Sequence, residues 1–347
     1  MQISQEINKS LIHQKRVKYR YFQMLLFSPL VDALLAIPAP PGWESHVTGK
    51  LQSSGLVASE ALLGNLHSII YITAFYQVVF VLCARLLLPG LCDWRIGLKL
   101  EEERDLKVEH KYSRAQRAKS LAEQAAMHLV SFLQSLIVLD LSIAFLASPE
   151  RSGLGVYPDA YSRIFGETRE TQVVCIFAIG YFIWDALISM AYSTLPFVMH
   201  GVVSTSVYLI GIKPYLQWYA PVFLIFELSN PFLNFRWFGT KFLPAQTQCK
   251  WLRQLLQVNN LVFLLTFFAG RIAWGWYQIG ALCCDFYLVS EDARFLPFDT
   301  FVIVAGNLVL DVLNAIWFKT MLGVAIKTIC GKGKGKSAPR EKHVKGC

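Results

Sequence analysis

The stretch FELSNPFLNFRWF, residues 226–238, follows YLQWYAPVFLI (215–225), an apolar and aromatic run with the pattern of a membrane helix. Within about three helical turns it places Glu227, Asn230, Pro231, Asn234 and Arg236. An ionisable group in a lipid-embedded helix costs at least about 2.5–3.5 kcal/mol, so such groups turn toward a bundle interior or a wet cavity. Glu227, Asn230 and Asn234 fall at i, i+3 and i+7, one face of a helix. The stretch therefore reads as the inner wall of a bundle, and Pro231, which removes a backbone hydrogen bond, predicts a kink near Glu227 that widens the space inside. Arg236 and Trp237 read as interfacial anchors.

Composition agrees. Of 347 residues, 54% are hydrophobic and only 16% are charged, with mean hydropathy +0.40; soluble domains average about 25% charged. The fold class is all-α, a polytopic membrane bundle. A span takes about 20 apolar residues, and runs near that length lie at 63–89, 124–147, 172–193, 195–212, 215–234, 256–280 and 299–325, about seven in all. The patch 24–40 is interrupted by Pro29, Asp32 and Pro38 and reads as an interfacial or re-entrant helix over 21–38. The expected order is an N-terminal region 1–62, a first transmembrane helix 63–90, a charged cytoplasmic loop 91–123, a transmembrane domain 124–325 and a basic, disordered cytoplasmic tail 326–347.

The net charge of +9 is loop bias, not nucleic-acid affinity. Segments 91–123 and 235–255 and the tail are rich in Lys and Arg and fall on one side if the spans alternate from residue 63. Segments 148–171 and 281–298, on the other side, hold more acids than bases. The positive-inside rule then puts the C-terminus in the cytoplasm. The same alternation leaves the basic N-terminus, with its sequon at Asn8, on the opposite side, and an extra crossing at 21–38 would reverse that. The eight cysteines form no CxxC pair and suggest neither zinc nor a disulfide framework. No P-loop, GxSxG or HExxH motif occurs, so neither cofactor nor metal is expected.

Polar residues inside the apolar runs repeat at helical spacing. Tyr181, Asp185, Ser189 and Tyr192 share one stripe; so do His200, Ser204 and Tyr208, and Asn307, Asp311 and Asn314. Asn260 and Arg271, eleven apart, read as a further face, and His128 reads as interfacial because it lies near a span end. If the faces converge they enclose a polar chamber. Such polar residues also serve as interhelical hydrogen-bonding groups that set packing. In a catalytic reading, His200 is a general base oriented by Asp185 or Glu227; Tyr181, Ser204, Asn230, Asn234, Asn260, Arg271 and Asp311 line the cavity, with Arg271 able to neutralise a remaining acid or to hold a lipid phosphate or carboxylate.

The runs GYFIWDALISMAYS (180–193), VMHGVVSTSVYLIGIKPYLQWYAPVFLIFELSNPFLNFRWF (198–238) and NNLVFLLTFFAGRIAWGWYQ (259–278) resemble the core of TLC-domain membrane proteins, as does AMHLVSFLQSLIVL (126–139). The chain is similar to the fungal and animal members related to transmembrane protein fifty-six. The resemblance implies a helical barrel of about six spans over roughly 124–325, set in the endoplasmic reticulum or a related membrane, and a role in lipid synthesis, transport or sensing. Membrane lipids are the expected partners. In the ceramide synthases of this family the domain carries acyl-CoA-dependent acyl transfer with two adjacent histidines; here the site reads Met199-His200-Gly201. The expected function is therefore lipid handling, with acyl transfer by His200, using fatty acyl-CoA, as the alternative. A receptor or channel is suggested only by the span count.

Overall fold

The computed structural model describes residues 26–55, 59–103, 112–147, 157–243 and 249–331, without the side chains of Glu102 and residues 328–331. The N-terminal basic cluster, the sequon at Asn8, the first residues of the 21–38 segment and the tail beyond 331 lie outside the described residues.

The described residues form helices and no strand. Helix α1 (Ser28–Leu35) starts with Pro29 in its first turn, and the Phe27 N–H donates to Asp140 Oδ2 at 3.0 Å. Eight residues rise about 12 Å, too short to cross a hydrocarbon core of about 30 Å. Helix α2 (Gly49–Ser53) continues from a wide turn over Glu44–Thr48. Helix α3 (Glu60–Leu82) is N-capped by Ser59 and lengthened by a π turn over Cys83–Leu87. Helix α4 (Pro89–Glu103) occupies most of the first half of the expected charged loop. It buries Cys92 and Ile96 and exposes Leu91 and Trp94. Its Arg95 is buried and donates to the carbonyls of Lys241 (3.1 Å) and Leu243 (3.4 Å).

Helix α5 (Arg114–Leu146) begins ahead of the expected residue 124 because Ser113 and Gln116 form a capping box. Capping boxes also start α6 (Ala160–Phe165, Asp159/Ser162) and α7 (Arg169–Tyr192, Thr168/Thr171). Helix α7 is the central one, with 72% of its apolar window buried against 33% for α3. Then come α8 (Leu195–Gly211), α9 (Tyr219–Leu224), α10 (Asn230–Phe242), α11 (Lys250–Phe267), α12 (Trp274–Leu288) and α13 (Pro297–Gly331). Among the described residues five rods are long and apolar enough to cross a membrane: Glu60–Leu87, Arg114–Leu146, Arg169–Tyr192, Lys250–Leu288 and Pro297–Lys327. The chain is a helical membrane protein. Two of the expected spans differ from simple rods: Leu195–Gly211 has only 17 residues, and 215–234 is not one helix but α9 and α10 joined through a 3₁₀ segment, Ile225–Ser229.

Close backbone approach sets the packing around α7. A Cβ on Gly201 of α8 would lie 2.9 Å from the Ala186 backbone of α7. Gly201→Val is therefore expected to cost about 1–3 kcal/mol or more, read as a lowered unfolding midpoint in detergent, because the obstacle is main chain and cannot rotate away. On the other side Thr73 of α3 donates to the Gly180 carbonyl at 2.9 Å, where a Cβ would meet Ile72. Tyr76 donates to Gln134, and Trp184 Nε1 donates to Gln77 at 3.1 Å, so the aromatic rings behind α7 keep their polar atoms satisfied.

One end of the bundle is locked by ion pairs. Arg163 of α6 grips Asp285 of α12 with both nitrogens at 2.6 Å, and Tyr219 of α9 donates to the same carboxylate at 2.7 Å. Lys213 pairs with Asp299 at 2.6 Å, tying the α8–α9 connection to the start of α13.

Candidate functional site

The stretch 226–238 leaves α-helical geometry around Glu227, where the proline predicts a kink. Ile225–Ser229 is wound as a 3₁₀ helix, and Pro231 sits in the first turn of α10, where a missing N–H leaves no intrahelical bond unmade. The tighter winding carries Glu227 and Ser229 inward, where both are buried. Opposite them Arg271, also buried, comes from a π turn, Phe268–Ala273, joining α11 to α12. Its Nε donates to Ser229 Oγ (3.2 Å) and its Nη1 to Asn314 (3.3 Å). Its Nη2 donates to Asn230 Oδ1 (3.0 Å) and pairs with Glu227 at 3.4 Å. Asn230 in turn donates to Glu227. The guanidinium also lies over the Phe267 ring, 5.4 Å from its centroid.

The π turn corrects one register. It adds a residue to the turn, so the residue sharing the Arg271 face is Asn259, not Asn260. Asn259 is buried and donates to the Phe232 carbonyl at 2.9 Å, while Asn260 is exposed on the outside.

A second polar group lies one to two turns along α10. Asn234 Nδ2 donates to the Asn230 carbonyl (2.9 Å) and to Ser131 Oγ (3.4 Å), and Asn234 Oδ1 lies 2.7 Å from His128 Nδ1. A carbonyl oxygen only accepts, so the amide orientation is settled and His128 Nδ1 carries the proton. The His128 ring stacks on Trp237 at 4.2 Å. Helix α5 starts at Arg114, which places His128 well inside the rod, and Trp237 turns onto it.

These groups wall a cavity of about 420 Å³. Of the residues singled out in the sequence, Tyr181, Asp185, His200, Glu227, Asn230, Asn234 and Arg271 line it. His128, Trp184, Trp237 and Trp317 join them. A smaller cavity of about 50 Å³ shares His200 and Glu227 with the first. It is lined by Ser204 and Asn307 and otherwise by apolar and aromatic side chains, its Tyr208 and Tyr219 hydroxyls bonding elsewhere. Asp311 is buried but borders neither cavity; it lies against Gly275. Tyr192 also lies off both, exposed beside Phe80. His200 packs edge-on against Phe182 and Trp317, at 6.0 and 5.9 Å, and among the described residues makes no hydrogen bond to Asp185 or Glu227. Glu227 is instead engaged by Arg271 and Asn230. Among the described residues no group of three or more His, Cys, Asp or Glu is placed to hold a metal ion.

Residues 124–323, the part that builds both cavities, match the TLC domain. The chain belongs to the TLC-domain family. It is 49% identical to an uncharacterized TLC domain-containing protein of Saccharomyces cerevisiae, over 89% of this chain and 98% of that protein. It is 28% identical to topoisomerase I damage affected protein 4 of the same yeast, over 78% of this chain and 88% of that one. It is likewise 28% identical to TLC domain-containing protein 4-B of Danio rerio, over 54% of this chain and 71% of that one. No solved structure matches significantly. The TLC domain here thus brings a polar chamber between membrane helices, with the buried Arg271 already paired.

Proposed function

We propose that this TLC-domain protein binds a membrane lipid in the larger chamber and acts in lipid homeostasis or sensing in the endoplasmic reticulum membrane, with the tail 326–347 on the cytoplasmic side. The observation that carries the reading is the cavity of about 420 Å³ between membrane helices, with polar groups beside tryptophan faces. Tryptophan and phenylalanine rings offer apolar surface to an acyl chain, while Asp185, His128 and His200 offer polar atoms to a headgroup. The basic residues of 91–123, Lys250, Arg253 and Lys327 support the proposed orientation, since cytoplasmic segments carry such an excess. In this reading residues 124–325 are the lipid-binding domain, and α3 with α4 is an accessory flank.

The test is lipid retention. Ser189 of α7 and Leu233 of α10 both line the chamber. Ser189→Trp and Leu233→Trp are expected to reduce the lipid co-purified in mild detergent, weighed by mass spectrometry, by about tenfold. Unchanged retention in both variants, with elution as a folded monodisperse species, would remove the chamber as the binding site.

A further inference from the structure

The charge balance inside the chamber says which headgroups it can accept. Arg271 is the one arginine or lysine among the described residues lining it. Its charge is matched by Glu227 at 3.4 Å, and three of its other four N–H donors are taken by Ser229, Asn230 and Asn314. It has no free fork left for a phosphate or carboxylate. Two acceptors on the walls have no protein partner among the described residues, beside donors such as the His200 ring and the Trp317 indole. The Asp185 carboxylate lines the chamber with no hydrogen bond or ion pair among the described residues. His128 carries its proton on Nδ1, toward Asn234, so in the neutral ring Nε2 presents a lone pair, and among the described residues it has no protein partner.

An anionic headgroup entering here would meet an unpaired carboxylate and no available cation, in a setting where charge interactions are poorly screened. A hydroxyl, amide or ammonium headgroup would satisfy acceptors that otherwise lack partners. We propose that the chamber is selective for a lipid whose headgroup donates hydrogen bonds and bears no net negative charge, with the Asp185 carboxylate and His128 Nε2 as its acceptors. This rests on the chamber being the lipid site. Of the two roles the sequence suggests for Arg271, neutralising an acid or holding a lipid anion, it keeps the first, as the structural partner of Glu227.

The experiment uses the full chain in detergent at neutral pH and four probes sharing one oleyl or oleoyl chain, each competed against a fluorescent lipid. Oleyl alcohol donates and is neutral, oleylamine donates and is cationic, methyl oleate only accepts, and 1-oleoyl lysophosphatidate is anionic. Oleyl alcohol and oleylamine are expected to bind at least about tenfold more tightly than the other two. Asp185→Asn is expected to weaken oleylamine about tenfold while changing oleyl alcohol less, and His128→Phe to erase most of the preference for oleyl alcohol over methyl oleate. Lysophosphatidate or methyl oleate binding as tightly as oleyl alcohol overturns the selectivity and leaves the chamber standing. Displacement by none of the four overturns the chamber reading itself. The wild-type series alone decides between these outcomes, so a variant that fails to fold does not block the test.

Discussion

Arg271→Leu is expected to destabilise the protein by about 3–5 kcal/mol, the cost typical of removing one partner from a buried pair. The substitution leaves Glu227 buried without a counter-charge and strips partners from Ser229, Asn230 and Asn314 at once. The double variant Glu227→Gln/Arg271→Leu is expected to be clearly more stable than Arg271→Leu, because the orphaned charge is gone. Denaturation in detergent, followed by circular dichroism, measures both. Added salt is expected to change little, since the pair lies out of reach of mobile ions. A single variant within about 1 kcal/mol of wild type would show that the network does not hold the 3₁₀ break in place.

Asp285→Ala is expected to have an effect of the same order, about 3–5 kcal/mol, at the other end of the bundle. Asp285 is almost fully buried and receives both nitrogens of Arg163 and the Tyr219 hydroxyl. Its loss releases α6 from α12 and leaves the Arg163 guanidinium, over the Trp218 ring at 5.7 Å, without its counter-charge. Limited proteolysis around residues 157–168 reads the release directly, and an unchanged cleavage rate there would count against the clamp. Asp93→Ala is the control. Asp93 also holds an arginine by two short bonds, to Arg114 at 2.8 and 2.6 Å, but in the open, where ion pairs contribute little. Arg114 holds the Asp93 carboxyl below its ordinary range, chiefly by hydrogen bonding. What little Asp93 contributes is therefore present at neutral pH and lost as pH falls through that lowered value.

Much of the site was legible because membrane helices punish stray polar groups. Tyr181, Asp185 and Ser189 line the chamber as their spacing predicts, and so do Glu227, Asn230 and Asn234 despite the 3₁₀ turn that holds Glu227. Where spacing misled, the backbone had left α-helical geometry or the rod had begun elsewhere. The π turn at Phe268–Ala273 moved Asn260 outside and Asn259 inside, and no residue in that turn announces it. The Ser113–Gln116 capping box, legible in the sequence, starts α5 ahead of the expected residue 124. Asp311 shares a stripe with Asn307 and Asn314 yet borders neither cavity, because α12 covers it at Gly275.

Composition and periodicity alone determined that this chain is an all-helical membrane protein and which faces of its helices are polar. Both follow from local physics: a span must be apolar over its length, and residues three or four apart share a side. Only the tertiary structure decided which polar groups are consumed by one another. Glu227, Arg271, Asn230 and Asn314 come from four separate elements and close a network among themselves, while Asp185 and one nitrogen of His128, both in cavity-lining residues, keep no protein partner among the described residues. Pairing across helices depends on where the rods bend and cross, and that is a property of packing which no single helix carries in its sequence.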